Sequence, residues 1–201
     1  SFSKNMGFET YNNNRSTRLY DLIEEKKELD YNDFKKIKYD NSLPNPLSYS
    51  WMDINALFDI NPNRYPEISN ILIQIQKWDR KTDADSYGAG AYAIFYSKLR
   101  KYYRQIPEPK IFPKTFLIEA LKETKKHMLK FFGKEKVKLG EFQKLVRGSK
   151  EIPIFGLRDV ITAMSSVPYK KGKTRVTAGE SYIELIKFTG TTTMTQSHAF
   201  F

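Results

Sequence analysis

The sequence of 201 residues contains no cysteine, and its apolar runs are all short. Without cysteine the chain cannot form a disulfide, present a thiolate nucleophile or hold zinc through sulfur ligands. The run at residues 71–75 is interrupted by Gln74, whereas about 20 apolar residues are needed to span a bilayer. We therefore expect no membrane span and no membrane partner.

Histidine is also scarce, with only His127 and His198 present. A Ser-His-Asp relay needs a base within hydrogen-bond reach of its nucleophile, and no spacing in the sequence identifies such partners. Both histidines are therefore expected to be structural. Gly88 and Gly90 follow no predicted strand and lack the third glycine of the dinucleotide-binding fingerprint, so they indicate no nucleotide site.

The residues that are present describe a folded, basic chain. Its content of 40% hydrophobic and 14% aromatic residues is typical of a globular protein. Residues 98–150 contain sixteen Lys or Arg against five Glu and no Asp, and the alternation of basic residues with tyrosine suits a nucleic-acid surface. The lysines of residues 114–132, however, fall on the solvent side of an amphipathic helix. The solvated lysine face is favoured, and no nucleic-acid partner is expected.

Apolar periodicity predicts helices first and strands last. Helices are predicted near residues 15–27 with Asn14 as N-cap, 31–40, 51–60, 66–78, 91–105 and 114–132. Beyond Phe155 the chain is rich in Thr, Val, Ile and Tyr and alternates in SYIELIKF, which predicts an antiparallel strand pair or meander. This order indicates an α+β protein.

One stretch partly matches a metal-binding loop. In DADSYG, Asp83, Asp85 and Gly88 fit the opening of a calcium-binding EF-hand. The twelfth position of such a loop needs a bidentate Glu, and here it is Ile94. The stretch is therefore interpreted as a polar connection between helices, and no cofactor or metal site is identifiable.

Arg15 and Arg18 lie in the first turns of the first predicted helix. The helix dipole disfavours a cation there by about 0.3–1 kcal/mol, so these positions call for another explanation.

Four stretches resemble the penicillin acylase family of N-terminal nucleophile hydrolases. They are MGFETYNNNRSTRLYDLIEEKKELDYNDFKKIKYD, EISNILIQIQKWDRKTDADSYGAGAYAIFY, LGEFQKLVRGSKEIPIFGLRDVITAM and TAGESYIELIKF, and their order and spacing cover nearly all of the chain. The resemblance implies a four-layer αββα fold. Residues 1–201 would form a single partial domain of its large chain, with helices followed by C-terminal antiparallel strands.

The same resemblance implies an amidohydrolase that releases an acyl group from a linear non-peptide amide, such as an acylated β-lactam or an acyl-homoserine lactone. In that family an N-terminal serine, freed by self-cleavage, attacks the amide, and an asparagine binds the oxyanion. The family opens this nucleophile segment with Ser-Asn, whereas Ser1 is followed by Phe2 and Ser3. The resemblance begins beyond both the nucleophile and the oxyanion asparagine. Both are therefore expected outside this chain, and the segment alone is predicted to be inactive.

Arg15 is the candidate site residue. It matches the family arginine that supports the oxyanion asparagine and the substrate side of the pocket, and a guanidinium can donate several hydrogen bonds there. A surface ion pair of little energetic value is the alternative, and Arg18 is a competing candidate.

The resemblance also implies the partners. These are the rest of the large chain, the small chain of the same precursor and an acyl amide substrate. By the same resemblance, the complete enzyme could also bind a calcium ion. A periplasmic or extracellular location is expected because family members are generally exported. The residues themselves leave open a second class of function, a basic helical module that docks nucleic acid without catalysis.

Overall fold

The computed structural model describes residues 11–108, 110–179, 182–189 and 192–199. Ser1, Phe2 and Ser3 lie outside the described residues, and so does the side chain of His198. The prediction about the chain start and the prediction of a structural role for His198 are therefore not addressed by the structure.

Helices occupy most of the first two thirds of the described chain. The α-helices are α1 (Asn14–Glu24), α2 (Tyr31–Lys38), α3 (Ser69–Gln76), α4 (Tyr87–Leu99), α5 (Lys114–Phe132) and α6 (Leu139–Phe142). Short 3-10 helices occupy Asn55–Asp59, Pro62–Arg64, Arg100–Gln105 and Lys170–Gly172.

Six strands follow in the described residues. They are β1 (Gln143–Arg147), β2 (Lys150–Pro153), β3 (Ser165–Pro168), β4 (Thr174–Ala178), β5 (Tyr182–Thr189) and β6 (Thr192–Ala199). The first four form a sheet in the order β2-β1-β4-β3, and β5 and β6 form a separate antiparallel hairpin. The predicted α+β class is confirmed.

Beyond Phe155 the strands pair antiparallel with one another, as predicted, whereas β1, which the sequence does not predict, adds a parallel pair. β1 and β4 run parallel, with Gln143 beside Thr174 and Lys144 beside Arg175. The chain between them forms β2, which pairs antiparallel with β1, and then β3, which pairs antiparallel with β4. A parallel neighbour needs such a long connection, and nothing in the local alternation of residues reveals it.

The start of α1 also corrects the sequence analysis. Asn13, not Asn14, is the N-cap, because its side chain accepts a hydrogen bond from the backbone N of Ser16. Asn14 is instead fully buried. Residues 51–60, predicted as helix, form only the short 3-10 helix at 55–59.

The core lies between α3, α4 and α5. The helix α4 is apolar on nearly all sides, and Tyr92, Ile94 and Phe95 are buried at no more than 1% exposure. Gly90 permits a close approach of α4 to residues 137–139, since a Cβ atom there would lie 2.0 Å from the carbonyl oxygen of Val137. Backbone contact at this point fixes α4 against the segment that leads into the sheet.

The amphipathic character predicted for α5 is present. Leu117, Leu121 and Met128 are fully buried, whereas Lys122 lies on the outer side and pairs with Glu119 at 3.0 Å. Within the described part of the chain, none of the helices is both long and apolar enough to cross a membrane.

Candidate functional site

A cleft of about 1120 Å³ lies where α4 and the following 3-10 helix face the sheet and the loop before β3. Its lining combines a group of aromatic side chains, Tyr49, Trp51, Tyr92, Tyr96 and Tyr103, with a group of cations, Arg15, Arg100, Lys101, Arg104 and Arg158. Arg15 thus lines a cleft together with four other cations and a group of aromatic side chains.

The aromatic residues form one connected wall. The rings of Tyr49 and Tyr96 stack with centroids 5.6 Å apart, and Trp51 contacts Tyr103 edge-on at 5.0 Å. The hydroxyl oxygens of Tyr49 and Tyr92 lie 2.7 Å apart and share a hydrogen bond. Burial raises the pKa of Tyr96 to about 12. The wall therefore remains uncharged near neutral pH and offers no ready base.

The N-terminus of α1 is fastened to the loop before β3. Oδ2 of Asp159 accepts hydrogen bonds from the backbone N and from Nδ2 of Asn14, at 3.2 and 3.0 Å. Oδ1 of Asn14 in turn accepts one from the backbone N of Ser48 at 2.5 Å. The buried asparagine therefore connects three segments that are distant in the sequence.

Arg15 follows directly on this junction. Its Nε donates to the carbonyl oxygen of Val160 at 3.2 Å, and its side chain is exposed and lines the cleft. Among the residues that the structure describes, Arg15 forms no ion pair, and its two terminal amino groups donate no hydrogen bond. Within that part of the chain, the guanidinium is thus held at one nitrogen, and its two terminal amino groups have no partner.

Arg18, the competing candidate, is engaged elsewhere. Its Nε and Nη2 donate to the two carboxylate oxygens of Asp40 at 3.1 and 2.8 Å. This bidentate hydrogen bond raises the pKa of Arg18. Ion pairing, proposed as an alternative for Arg15, is therefore the role that Arg18 has.

His127 lies away from the cleft lining and ties three elements together. Its Nε2 donates to the carbonyl oxygen of Gly172 at 2.7 Å, so its Nδ1 accepts from Nζ of Lys98 at 3.0 Å. Burial, and then the charge of Lys98, lower the pKa of His127. These contacts are those of a structural histidine, as the sequence predicts.

The DADSYG stretch connects α3 to α4. Oδ1 of Asp83 accepts a hydrogen bond from Asn41 at 2.7 Å, and Ile94 is buried inside α4. Because a helix begins at Tyr87, a twelve-residue EF-hand loop cannot form here. Within the described ranges, no three His, Asp or Glu side chains lie close enough together to hold a metal ion.

Trp78 and Ser86, near the two ends of the connection between α3 and α4, serve packing and helix capping. Nε1 of Trp78 donates to the carbonyl oxygen of Lys81 at 2.7 Å, and the hydroxyl of Ser86 caps α4 by accepting from the backbone N of Ala89. A Cβ atom on Gly88 would lie 2.5 Å from that of Trp78. The spacing of these residues is thus explained by packing of the N-terminus of α4 against the indole ring of Trp78.

The sequence carries no signal for the contact between Asn14 and Asp159. They lie 145 residues apart, and no local pattern links them. Three of the cleft arginines are equally scattered, since Arg100 and Arg104 follow α4 whereas Arg158 belongs to the loop before β3.

Comparison with known protein families gives one finding that covers almost the whole chain. Residues 2–199 match the family described as Penicillin amidase. A search among curated proteins gave no match. The match extends through α1, the cleft and all six strands, and the chain therefore belongs to the penicillin amidase family of amidohydrolases.

Proposed function

We propose that this chain supports the oxyanion side of an active site that releases an acyl group from a linear non-peptide amide. Acylated β-lactams and acyl-homoserine lactones are the proposed substrate classes. We assign the nucleophilic serine to a segment outside these 201 residues, because Ser1-Phe2-Ser3 differs from the family's Ser-Asn opening. We assign the oxyanion asparagine there as well, because the family resemblance begins beyond it. Membership of the penicillin amidase family supports the reaction class.

The observation that carries the proposal is the state of Arg15. Its Nε is anchored on Val160, while its remaining donors line the cleft without a partner in the described residues. A guanidinium fixed in this way donates to groups that gain negative charge in the transition state without having to reorganise. Arg15 is thus a supporting residue, which acts through the oxyanion asparagine or on the substrate side of the pocket.

The charge of the cleft fits a supporting role of this kind. Tyr96 stays protonated, and the carboxylate of Asp159 already accepts two hydrogen bonds from Asn14. The proton of the attacking serine would pass to the serine's own α-amino group, whose ordinary pKa of about 8 suits a general base.

The setting of the enzyme belongs to the same proposal. The rest of the large chain and the small chain are the proposed partners, and a periplasmic or extracellular location follows from family resemblance. Calcium in the complete enzyme is proposed from family resemblance alone, and within the described residues no three His, Asp or Glu side chains lie close enough together to hold it.

Hydrolysis of a chromogenic acyl anilide tests the proposal. The complete enzyme that carries this chain should release the anilide, and the 201-residue chain alone should not. Release by the chain alone, abolished by Ser1→Ala, would place the nucleophile at Ser1 and overturn the assignment of the serine to another segment.

A further inference from the structure

We propose that the cleft is a docking site for an acidic polypeptide segment, whose carboxylates are bound by Arg100, Arg104 and Arg158. The proposed interaction needs no catalysis and is independent of the amidase reaction. It assigns a partner of stated chemistry to the cleft that Arg15 also lines.

The choice of cation is the first observation. The sequence contains nine arginines and 25 lysines, yet four arginines and a single lysine line the cleft. Arginine presents a planar fork of donors that matches a carboxylate, whereas lysine is a compact point charge. The preference for arginine over lysine indicates that the cleft recognises planar oxyanions. A surface that attracted anions only by its positive charge would not require this preference.

The second observation is the absence of partners for these arginines. Within residues 11–108 and 110–179, Arg100, Arg104 and Arg158 form no ion pair and no side-chain hydrogen bond. Lys101, their neighbour, is in contrast bound to Glu123. Three guanidinium groups around one cleft are therefore available to carboxylates from outside.

The aromatic wall points to a polypeptide as the source of those carboxylates. Trp51 and Tyr103 are half-buried and present ring surface to the cleft. Tyrosine, tryptophan and arginine are enriched in the buried centres of protein interfaces, whereas lysine is depleted there. The lining of this cleft shows the same bias.

The size and shape of the cleft favour an extended occupant. Small ligands are usually enclosed in pockets of about 300–1,000 Å³, and this cleft of about 1120 Å³ leaves its arginines exposed. Arg100 and Arg104 lie on one short helix and Arg158 on a separate loop. An occupant that reaches both must carry at least two acidic groups, with an apolar side chain between them to cover the rings.

A binding experiment on the 201-residue chain tests this inference. The probe is a blocked peptide, Asp-Glu-Leu-Glu-Asp-Leu, and its neutral counterpart is Asn-Gln-Leu-Gln-Asn-Leu. Titration calorimetry gives the affinity, and tryptophan fluorescence reports occupancy because Trp51 lines the cleft. We expect the acidic peptide to bind and to change the fluorescence, and the neutral peptide to do neither.

Matched double variants locate the binding. Arg100→Gln/Arg104→Gln should weaken the affinity by about tenfold or more, because two charge-assisted contacts are lost. Arg147→Gln/Arg175→Gln removes the same charge from exposed arginines of β1 and β4 that do not line the cleft, and should change the affinity by less than about twofold. Circular dichroism verifies the folding of both, and the single variant Arg158→Gln is an independent test if a double variant fails to fold.

Four outcomes would overturn the inference. Equal binding of the neutral peptide would exclude recognition of acids, and equal weakening by both double variants would show a non-specific effect of net charge. Displacement of the peptide by an equal concentration of free glutamate would indicate a small-molecule carboxylate site. Self-association of the chain that is lost in Arg100→Gln/Arg104→Gln, without peptide binding, would identify a second copy as the occupant.

Discussion

The carboxylate of Asp159 lies at the N-terminus of α1, where it accepts hydrogen bonds from the backbone N and from Nδ2 of Asn14. The first turn of α1 has no acid of its own and carries Arg15. A negative charge at this end of a helix is stabilising. Asp159 therefore offsets the unfavourable placement of Arg15, and the loop that supplies it also provides the Val160 carbonyl that holds the arginine.

Removal of this carboxylate should destabilise the chain. Asp159→Ala leaves the buried Asn14 without its partner, and a buried donor left unsatisfied costs about 1–3 kcal/mol. The free energy of unfolding from urea titrations measures the loss. Asp59→Ala, which removes an exposed acid from a short 3-10 helix, should cost less than about 0.5 kcal/mol. Equal effects would show that the Asn14–Asp159 contact contributes nothing specific.

Stability should decrease in mild acid because of His127. Burial and the charge of Lys98 lower its pKa in the folded state, while its pKa in the unfolded chain is about 6.5. As the pH falls below about 6.5, the unfolded chain binds a proton that the folded chain does not, so the contribution of neutral His127 to stability is lost. Above that pH the contribution is complete.

The variant His127→Gln isolates this effect from that of other acids. Glutamine keeps a donor for the Gly172 carbonyl but cannot take up a proton. The advantage of wild type over the variant in unfolding free energy should therefore shrink between pH 7.5 and 5.5. A difference that stays constant over this range would contradict the assigned cause.

Gly90→Ala should be destabilising although alanine is the better helix former by about 1 kcal/mol. The added Cβ atom would lie 2.0 Å from the Val137 carbonyl oxygen, and α4 would have to move away from the backbone that leads into the sheet. We expect a net loss of about 2–3 kcal/mol in chemical denaturation, as for other overpacked sites.

Gly133→Ala is the matched control for this prediction. Gly133 has a positive φ of 68° and open space around it, so the substitution adds backbone strain without a clash. The cost should be about 1 kcal/mol. A Gly90→Ala protein as stable as wild type would show that the contact between α4 and residue 137 is not tight.

The sequence best predicts the helices and strands whose formation depends on neighbouring residues. The amphipathic stripe of α5 and the alternation in β5 depend on neighbouring residues alone, and both elements are present. β1 and β2, with sequences QKLVR and KEIP, contain too many charged residues for a clear alternation, so local pattern does not predict them. Their position depends on pairing with each other and with β4, which a local pattern cannot show.

Only the part of the candidate site that matches a family motif, Arg15, could be predicted from the sequence. Resemblance identified Arg15, and no periodicity would have done so. Asn13 and Asn14 are chemically equal N-cap candidates, and only the fold decides that Asn13 caps while Asn14 turns inward to Asp159. The cleft arginines come from separate segments, so their grouping is a property of the tertiary structure.

The supporting role of Arg15 predicts a clear difference between two arginines of the same helix. Arg15 lines the cleft, and its two terminal amino groups have no partner among the described residues, whereas Arg18 is paired with Asp40. In Arg15→Lys the charge remains but the planar fork is lost. Arg18→Lys removes a bidentate pair outside the cleft and serves as the matched control.

Steady-state hydrolysis by the complete enzyme, with Arg15→Lys and Arg18→Lys measured side by side, tests the central claim most directly. A group that supports the oxyanion acts mainly in the transition state, so Arg15→Lys should lower kcat by about ten- to a hundredfold with little change in KM. Arg18→Lys should keep a kcat close to wild type. Near-wild-type rates for both variants would contradict the account and leave Arg15 only its structural bond to Val160.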